Sequence, residues 1–276
     1  MSVQTTTAST GDELTFFFGA AGGSAQKALR TLGESNVMLS YQTKNNRPWD
    51  GIETLFIDSG GYSLMLAEGT HERADPYLIT SKRSMPTSLQ YRDFPCEPAI
   101  LDEYERSVET HQRLTVEAAA EVLVRADERG IDAEPVTVVQ GWEPEEYVHH
   151  VELLEREGCL TEHVGIGSVC RRNATDEIRD VIRAVDQATP PRTKLHAFGV
   201  KLEALRDEQV RNRLWSADST AYDYWVDLSP LPHWQAVARE YLDYKEKILR
   251  TTQEDEDALP TVDPTQQTLG AAAIDE

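Results

Sequence analysis

Short, continuous apolar runs recur along this chain, separated by segments with helical periodicity. The runs are Leu14–Phe18, Val37–Tyr41, Thr54–Ile57, Tyr91–Phe94, Pro135–Gln140, His163–Ile166, Leu195–Phe198 and Leu214–Ala217. A strand with one wet face alternates apolar and polar residues, whereas several of these runs are apolar throughout, as strands covered on both faces must be. Eight such runs interleaved with helices predict an α/β fold, a (β/α)8 TIM-type barrel in a single domain. An open doubly wound sheet is the alternative. Its first strand–helix turn should read G-x-G-x-x-G, and Gly19-Ala20-Ala21-Gly22-Gly23 does not fit that spacing.

The helix signals lie where a barrel needs them. Ser24 is placed to cap a helix carrying Ala25, Ala28, Leu29 and Leu32, with Gly33 ending it. Val116, Ala119, Ala120, Leu123 and Val124 form a stripe closed by Gly130. Pro144 opens a helix that Gly158 closes, and Thr175 is placed to cap Ile178, Val181, Ile182 and Val185. Trp234, Val237, Ala238, Tyr241 and Ile248 mark the last helix.

With 39% hydrophobic residues in 276, the chain can bury one sizeable core. We expect a loose N-terminus over 1–12, a barrel over 13–250 and a disordered acidic tail over 251–276. The formal net charge is −21, and only seven residues are lysine. That surface suits molar salt, where repulsion between carboxylates is screened within about 3 Å. It argues against general electrostatic binding to nucleic acid but leaves room for a local basic groove. Arg171, Arg172, Arg179, Arg183 and Arg192 form the densest basic run, either a solvated helix face or a set of phosphate contacts led by Arg171 and Arg172. The cysteines are Cys96, Cys159 and Cys170, with no C-x-x-C pair, so no metal site is expected. No run approaches the ~20 apolar residues of a membrane span, and a cytoplasmic protein without membrane contact is expected.

Two carboxylates stand where apolar runs give way to small residues. Asp58 heads Asp58-Ser59-Gly60-Gly61-Tyr62, and Asp218 lies in Trp215-Ser216-Ala217-Asp218-Ser219-Thr220. In a barrel, that is where strands deliver side chains to the mouth. One carboxylate as nucleophile and one as acid/base can cut and remake an N-glycosidic bond. The same residues also suit plainer roles, a tight turn at Asp58 and a helix cap at Asp218. Gln140-Gly141 ends a strand with an amide able to donate and accept toward a purine edge. Gly165-Ile166-Gly167-Ser168 follows another strand. His196, in an apolar run, reads first as a core residue.

Asp58-Ser-Gly-Gly-Tyr resembles the Asp-Ser-Gly-Gly-Phe signature of tRNA-guanine transglycosylases. The wider set resembles their DNA-modifying relatives, the 7-deazapurine DNA transglycosylase (DpdA) family. It runs in order through Asp58, Cys96-Glu97-Pro98, Gln140, Gly165, Gly199 and Asp218, over roughly residues 14–250. The resemblance implies Asp218 as nucleophile and Asp58 as acid/base. It also implies that Asp93 or Glu97, Gln140, Gly165, Gly167 and Ser168 bind the base. The C-x-C-x-x-C…His zinc element of the tRNA enzymes is absent, and Thr220-Ala-Tyr-Asp-Tyr-Trp225 replaces their Pro-Thr-Arg segment. The expected activity is therefore exchange of guanine for a 7-deazaguanine base such as preQ0 in DNA, with no cofactor and with a DNA-remodelling protein as a partner. Action on tRNA and a non-catalytic barrel subunit are the alternatives.

Overall fold

A computed structural model describes residues 14–43, 49, 51–68, 73–224, 226 and 231–252. The strands are β1 (Thr15–Gly19), β2 (Asn36–Ser40), β3 (Thr54–Asp58), β4 (Ser88–Gln90), β5 (Glu134–Val139), β6 (His163–Ile166), β7 (Lys194–Ala197) and β8 (Ser216–Ser219). They form one closed, all-parallel barrel in sequence order, with β8 returning to pair with β1. The first five helices are α1 (Gly23–Leu32), α2 (Gly61–Glu68), α3 (Ala74–Lys82), α4 (Pro98–Glu103) and α5 (Val108–Arg129). They are followed by α6 (Pro144–Arg156), α7 (Thr175–Ala188), α8 (Leu202–Leu205), α9 (Glu208–Arg211) and α10 (His233–Thr252). None of the described helices is long and apolar enough to cross a membrane.

Alternation along each strand sorts the core into two layers. Phe16, Phe18, Val37, Leu39, Leu55, Ile57, Val164, Ile166, Leu195 and Ala217 join the large cluster that also holds helix residues such as Leu29, Val151, Val181 and Tyr241. Phe17, Met38, Phe56 and Val136 form a second cluster inside the barrel, with Phe198 and Trp215 packed on it. These interior rings are the floor beneath the mouth.

Several boundaries differ from expectation for physical reasons. β4 lies upstream of the run Tyr91–Phe94. Tyr91 N–H still reaches Val136 O at 2.8 Å, but Phe94 N–H goes to Thr115 Oγ1 (2.9 Å) and Cys96 N–H to Ser168 Oγ (3.0 Å). The segment is buried as a loop because side chains, not a neighbouring strand, satisfy its backbone. The buried stripe of α5 is rotated from the one expected: His111, Gln112, Thr115, Val116, Ala119 and Val122 face inward, while Val124 is 61% exposed. Helix α1 has Gly22 as its N-cap, and α7 has Ala174 in place of Thr175. β8 begins and ends two residues later than expected, so Asp218 sits within the strand. Helix α10 runs two residues into the expected tail. The rest of that tail, 253–276, and the N-terminus lie outside the described residues.

Candidate active site in the barrel mouth

Asp58 is the last residue of β3, two past inward-facing Phe56, so it rises from the floor into the mouth. Its Oδ1 accepts from Gly60 N–H at 2.9 Å. That is the expected Asx-type turn, and it holds the side chain rather than competing with a role in chemistry. Gly60 takes φ +75°, a left-handed conformation that glycine adopts without steric cost, and a Cβ there would stand 3.2 Å from Ser40 Oγ. Helix α2 starts at the next residue.

From Asp58 a continuous polar wall runs over β4, β5 and β6. Asp93 accepts from Ser59 Oγ (2.9 Å) and Gln90 Nε2 (2.6 Å) on Oδ1, and from Gln140 Nε2 (2.5 Å) on Oδ2. Those contacts orient the Gln140 amide, so its Oε1 faces Ser168 Oγ at 2.8 Å. Ser168 Oγ is also 2.9 Å from Glu97 Oε2. Gly167 makes this arrangement possible: a Cβ on it would fall 2.3 Å from Gln140 Nε2. Ser168 itself is held at φ +55°, which costs a non-glycine residue energy and is tolerated here in the middle of the network.

The Ser168 hydroxyl has one hydrogen and faces two acceptors, while Cys96 N–H occupies a lone pair. Both oxygen contacts are satisfied together if Glu97 carries a proton and donates it. The electrostatics agree: burial pushes Glu97 above the ordinary carboxylate range, with the charge of Asp93 adding to it against the Ser168 hydrogen bond. Burial likewise raises Asp93 to about 6, opposed by its hydrogen bonds to Ser59, Gln140 and Gln90. Asp58 keeps partial access to solvent yet is raised to about 7. Burial is the main cause, the Gly60 N–H opposes it, and the charges of Asp93 and Asp218 each add to it. The three carboxyls thus share one electrostatic neighbourhood.

The β7–β8 side is built differently. Asp218 is 7% exposed, and its Oδ1 accepts from Gly199 N–H at 2.7 Å. Gly199 takes φ +59°, and a Cβ there would meet Cys170 Cβ at 2.8 Å. Gly165 yields its inward space to the Phe198 ring, whose Cε2 lies 2.3 Å from where a Cβ would be, so Gly167 and Ser168 form the part of that segment bordering the polar wall.

Of the arginine pair, only Arg171 faces solvent, with its guanidinium 4.7 Å from the Tyr62 ring centroid. Arg172 is 6% exposed, bonded to Trp142 O, stacked 4.3 Å from the Trp142 ring and 3.8 Å from Glu177. It ties the β5 and β6 loops together from within. Among the described residues, no group of three His, Cys, Asp or Glu side chains is arranged to hold a metal.

Gln90 and Ser59 were not singled out as separate site residues by the sequence. The available signal was a polar amide closing a short buried strand. A family model described as DpdA, DeoxyPurine in DNA protein A, matches residues 38–253. No match is found among curated proteins.

Proposed function

This chain belongs to the DpdA family, and we propose that it exchanges guanine for a 7-deazaguanine base in DNA by double displacement. Membership ties the chain to deazapurine modification of DNA, with DNA as substrate. The observation that carries the finer reading is the pairing of two differently placed carboxyls in one mouth. Asp58 is poised near neutrality at about 7, while Asp218 is held by a backbone N–H on the neighbouring loop. A group titrating near the working pH is the better general acid and base.

In this reading, Asp218 gives an electron pair to C1′ as the C1′–N9 bond breaks. The departing guanine keeps that bond's electrons and takes a proton from Asp58. The incoming base then attacks C1′ through N9, its N9 proton passes to Asp58, and the sugar–Asp218 ester opens. The wall of Asp93, Gln140, Ser168 and Glu97 offers the in-plane donors and acceptors that a purine edge needs. The target base must leave the duplex stack to reach this depth, and Arg171 on Tyr62 supplies a cation at the rim for the phosphates beside it. The acidic surface suits work in molar salt.

The test is incorporation of labelled 7-deazaguanine bases, preQ0 among them, into DNA and into tRNA in molar salt, with and without a DNA-remodelling partner. Entry into DNA supports the reading. Entry into tRNA alone overturns the substrate, and entry into neither under any of these conditions overturns the enzyme.

A further inference from the structure

His196 stands on β7 directly beside Ser216 of β8 in the barrel register. It is 1% exposed, and the rings of Phe198, Phe56 and Phe17 surround it with centroids at 4.4, 4.9 and 6.1 Å. An imidazole sunk among aromatic rings gives up its water contacts and must regain them from the protein. Nδ1 does so, 2.7 Å from Ser216 Oγ. Nε2 has no partner at good hydrogen-bond geometry, and it faces Asp218 Oδ1 at 3.4 Å.

A bare Nε2 lone pair 3.4 Å from a carboxylate oxygen would be repelled by it, which favours the tautomer with the hydrogen on Nε2. The Ser216 hydroxyl can serve Nδ1 as donor or acceptor, which keeps the ring turned this way. Oδ1 of Asp218 is thereby approached from two sides, by Gly199 N–H at 2.7 Å and by His196 Nε2. Among the described residues, nothing donates to Oδ2.

We propose that His196, held by Ser216, is a positioning residue that pins Oδ1 of Asp218, so that Oδ2 is the oxygen that forms the sugar ester. This rests on the transglycosylase reading. Oδ2 supplies the electron pair to C1′ and recovers it when N9 of the incoming base displaces it; nothing is oxidised or reduced. A carboxylate free to rotate would offer either oxygen at varied angles, and misplacement of about 1 Å can cost on the order of 100-fold in rate.

Two measurements test this. The first is nuclear magnetic resonance of isotope-labelled histidine in the wild type, Ser216→Ala and Asp218→Asn. The His196 Nε2 should be the hydrogen-bearing nitrogen in the wild type, and its resonance should move in Asp218→Asn. A bare Nε2 overturns the pinning. The second is exchange kinetics, with a melting curve to confirm that each variant folds. His196→Phe keeps the aromatic floor and should lower kcat by roughly 10- to 100-fold with little change in KM for the base. His196→Gln, which returns an N–H near the Nε2 position, should recover most of that loss. Equal rates for Phe and Gln, or a Phe variant matching wild type, overturn the proposal. If Asp218→Asn retained exchange, the nucleophile reading would fall and the ester on Oδ2 with it, whatever the nitrogen spectrum showed.

Discussion

On the β3–β6 side of the mouth, carboxyls are crowded together and share hydrogens through Ser59, Gln90, Gln140 and Ser168. On the β7–β8 side, Asp218 stands over aromatic rings with a backbone donor and an imidazole on one oxygen. Crowding and burial make the first side hold protons: Asp58, Asp93 and Glu97 all titrate above the ordinary carboxylate range. The second side is spare and directional. On the proposed transglycosylase reading, proton trading and nucleophilic attack would be separated by environment, with the same functional group serving each.

The largest effect should come from the spare side. Asp218→Asn should lower base exchange by about 1000-fold or more, because an amide cannot form the normal ester. The fold should persist, and incorporation of labelled base measures the loss. Near-normal turnover would erase the distinction between the two sides.

Next is the proton-holding side. Asp58 and Asp93 titrate at about 7 and about 6 when folded, against 3.8 for an ordinary Asp. The native state therefore binds more protons than the unfolded chain in that window, and its stability falls as pH rises from about 4 through about 7. Asp58→Asn keeps an acceptor for Gly60 N–H and removes its share of that slope. The variant should be more stable than wild type by about 2 kcal/mol at pH ~8 and match it near pH ~4, as read by urea unfolding. A wild-type slope of the opposite sign would mean that the crowded carboxyls are ionised at low cost.

A smaller effect on exchange should follow Gly167→Ala. Its methyl would occupy the space of the Gln140 amide, the movable end of a flexible side chain. We expect stability to fall by about 1–3 kcal/mol, from the buried hydrogen bonds to Asp93 and Ser168 that the amide gives up, while KM for the base rises roughly tenfold, since the wall loses its central amide. A stability loss without a change in KM would mean that the wall is scaffolding only. Smallest is Arg171→Ala at the rim. It should weaken DNA binding about threefold in dilute buffer and less in molar salt, measured by fluorescence anisotropy, because one exposed phosphate contact is screened.

The two sides also differ in how far the sequence revealed them. Apolar runs ending in Asp58 and Asp218 announced the barrel and both carboxyls, because alternation and strand ends follow from local pattern. The wall was legible only as a set of candidates. The structure joins Asp93 and Glu97, the two alternatives, into one hydrogen-bonded chain through Gln140 and Ser168. The run Tyr91–Phe94 is buried as expected, but from Phe94 on side chains rather than a neighbouring strand take up the backbone groups. The α5 stripe is rotated from the apolar pattern because His111, Gln112 and Thr115, which such a pattern leaves out, are buried. Their polar ends in fact serve the Pro95, Gln140 and Phe94 backbone. His196 read correctly as buried, yet sequence offered no way to see that its neighbour across the ladder is a serine and the next inward residue along that strand is Asp218.

The barrel closes by laying β8 against β1, with Phe17 opposite Asp218. The residue proposed to attack the sugar therefore rides on the seam, where the latest strand to be synthesised meets the earliest. The middle strands carry the proton-holding wall, whereas Asp218 gains its fixed place only when β8 pairs with β7 and β1. Such long-range pairing is slow to form. On the transglycosylase reading, the ability to break a nucleoside bond would arrive only with the completed ring.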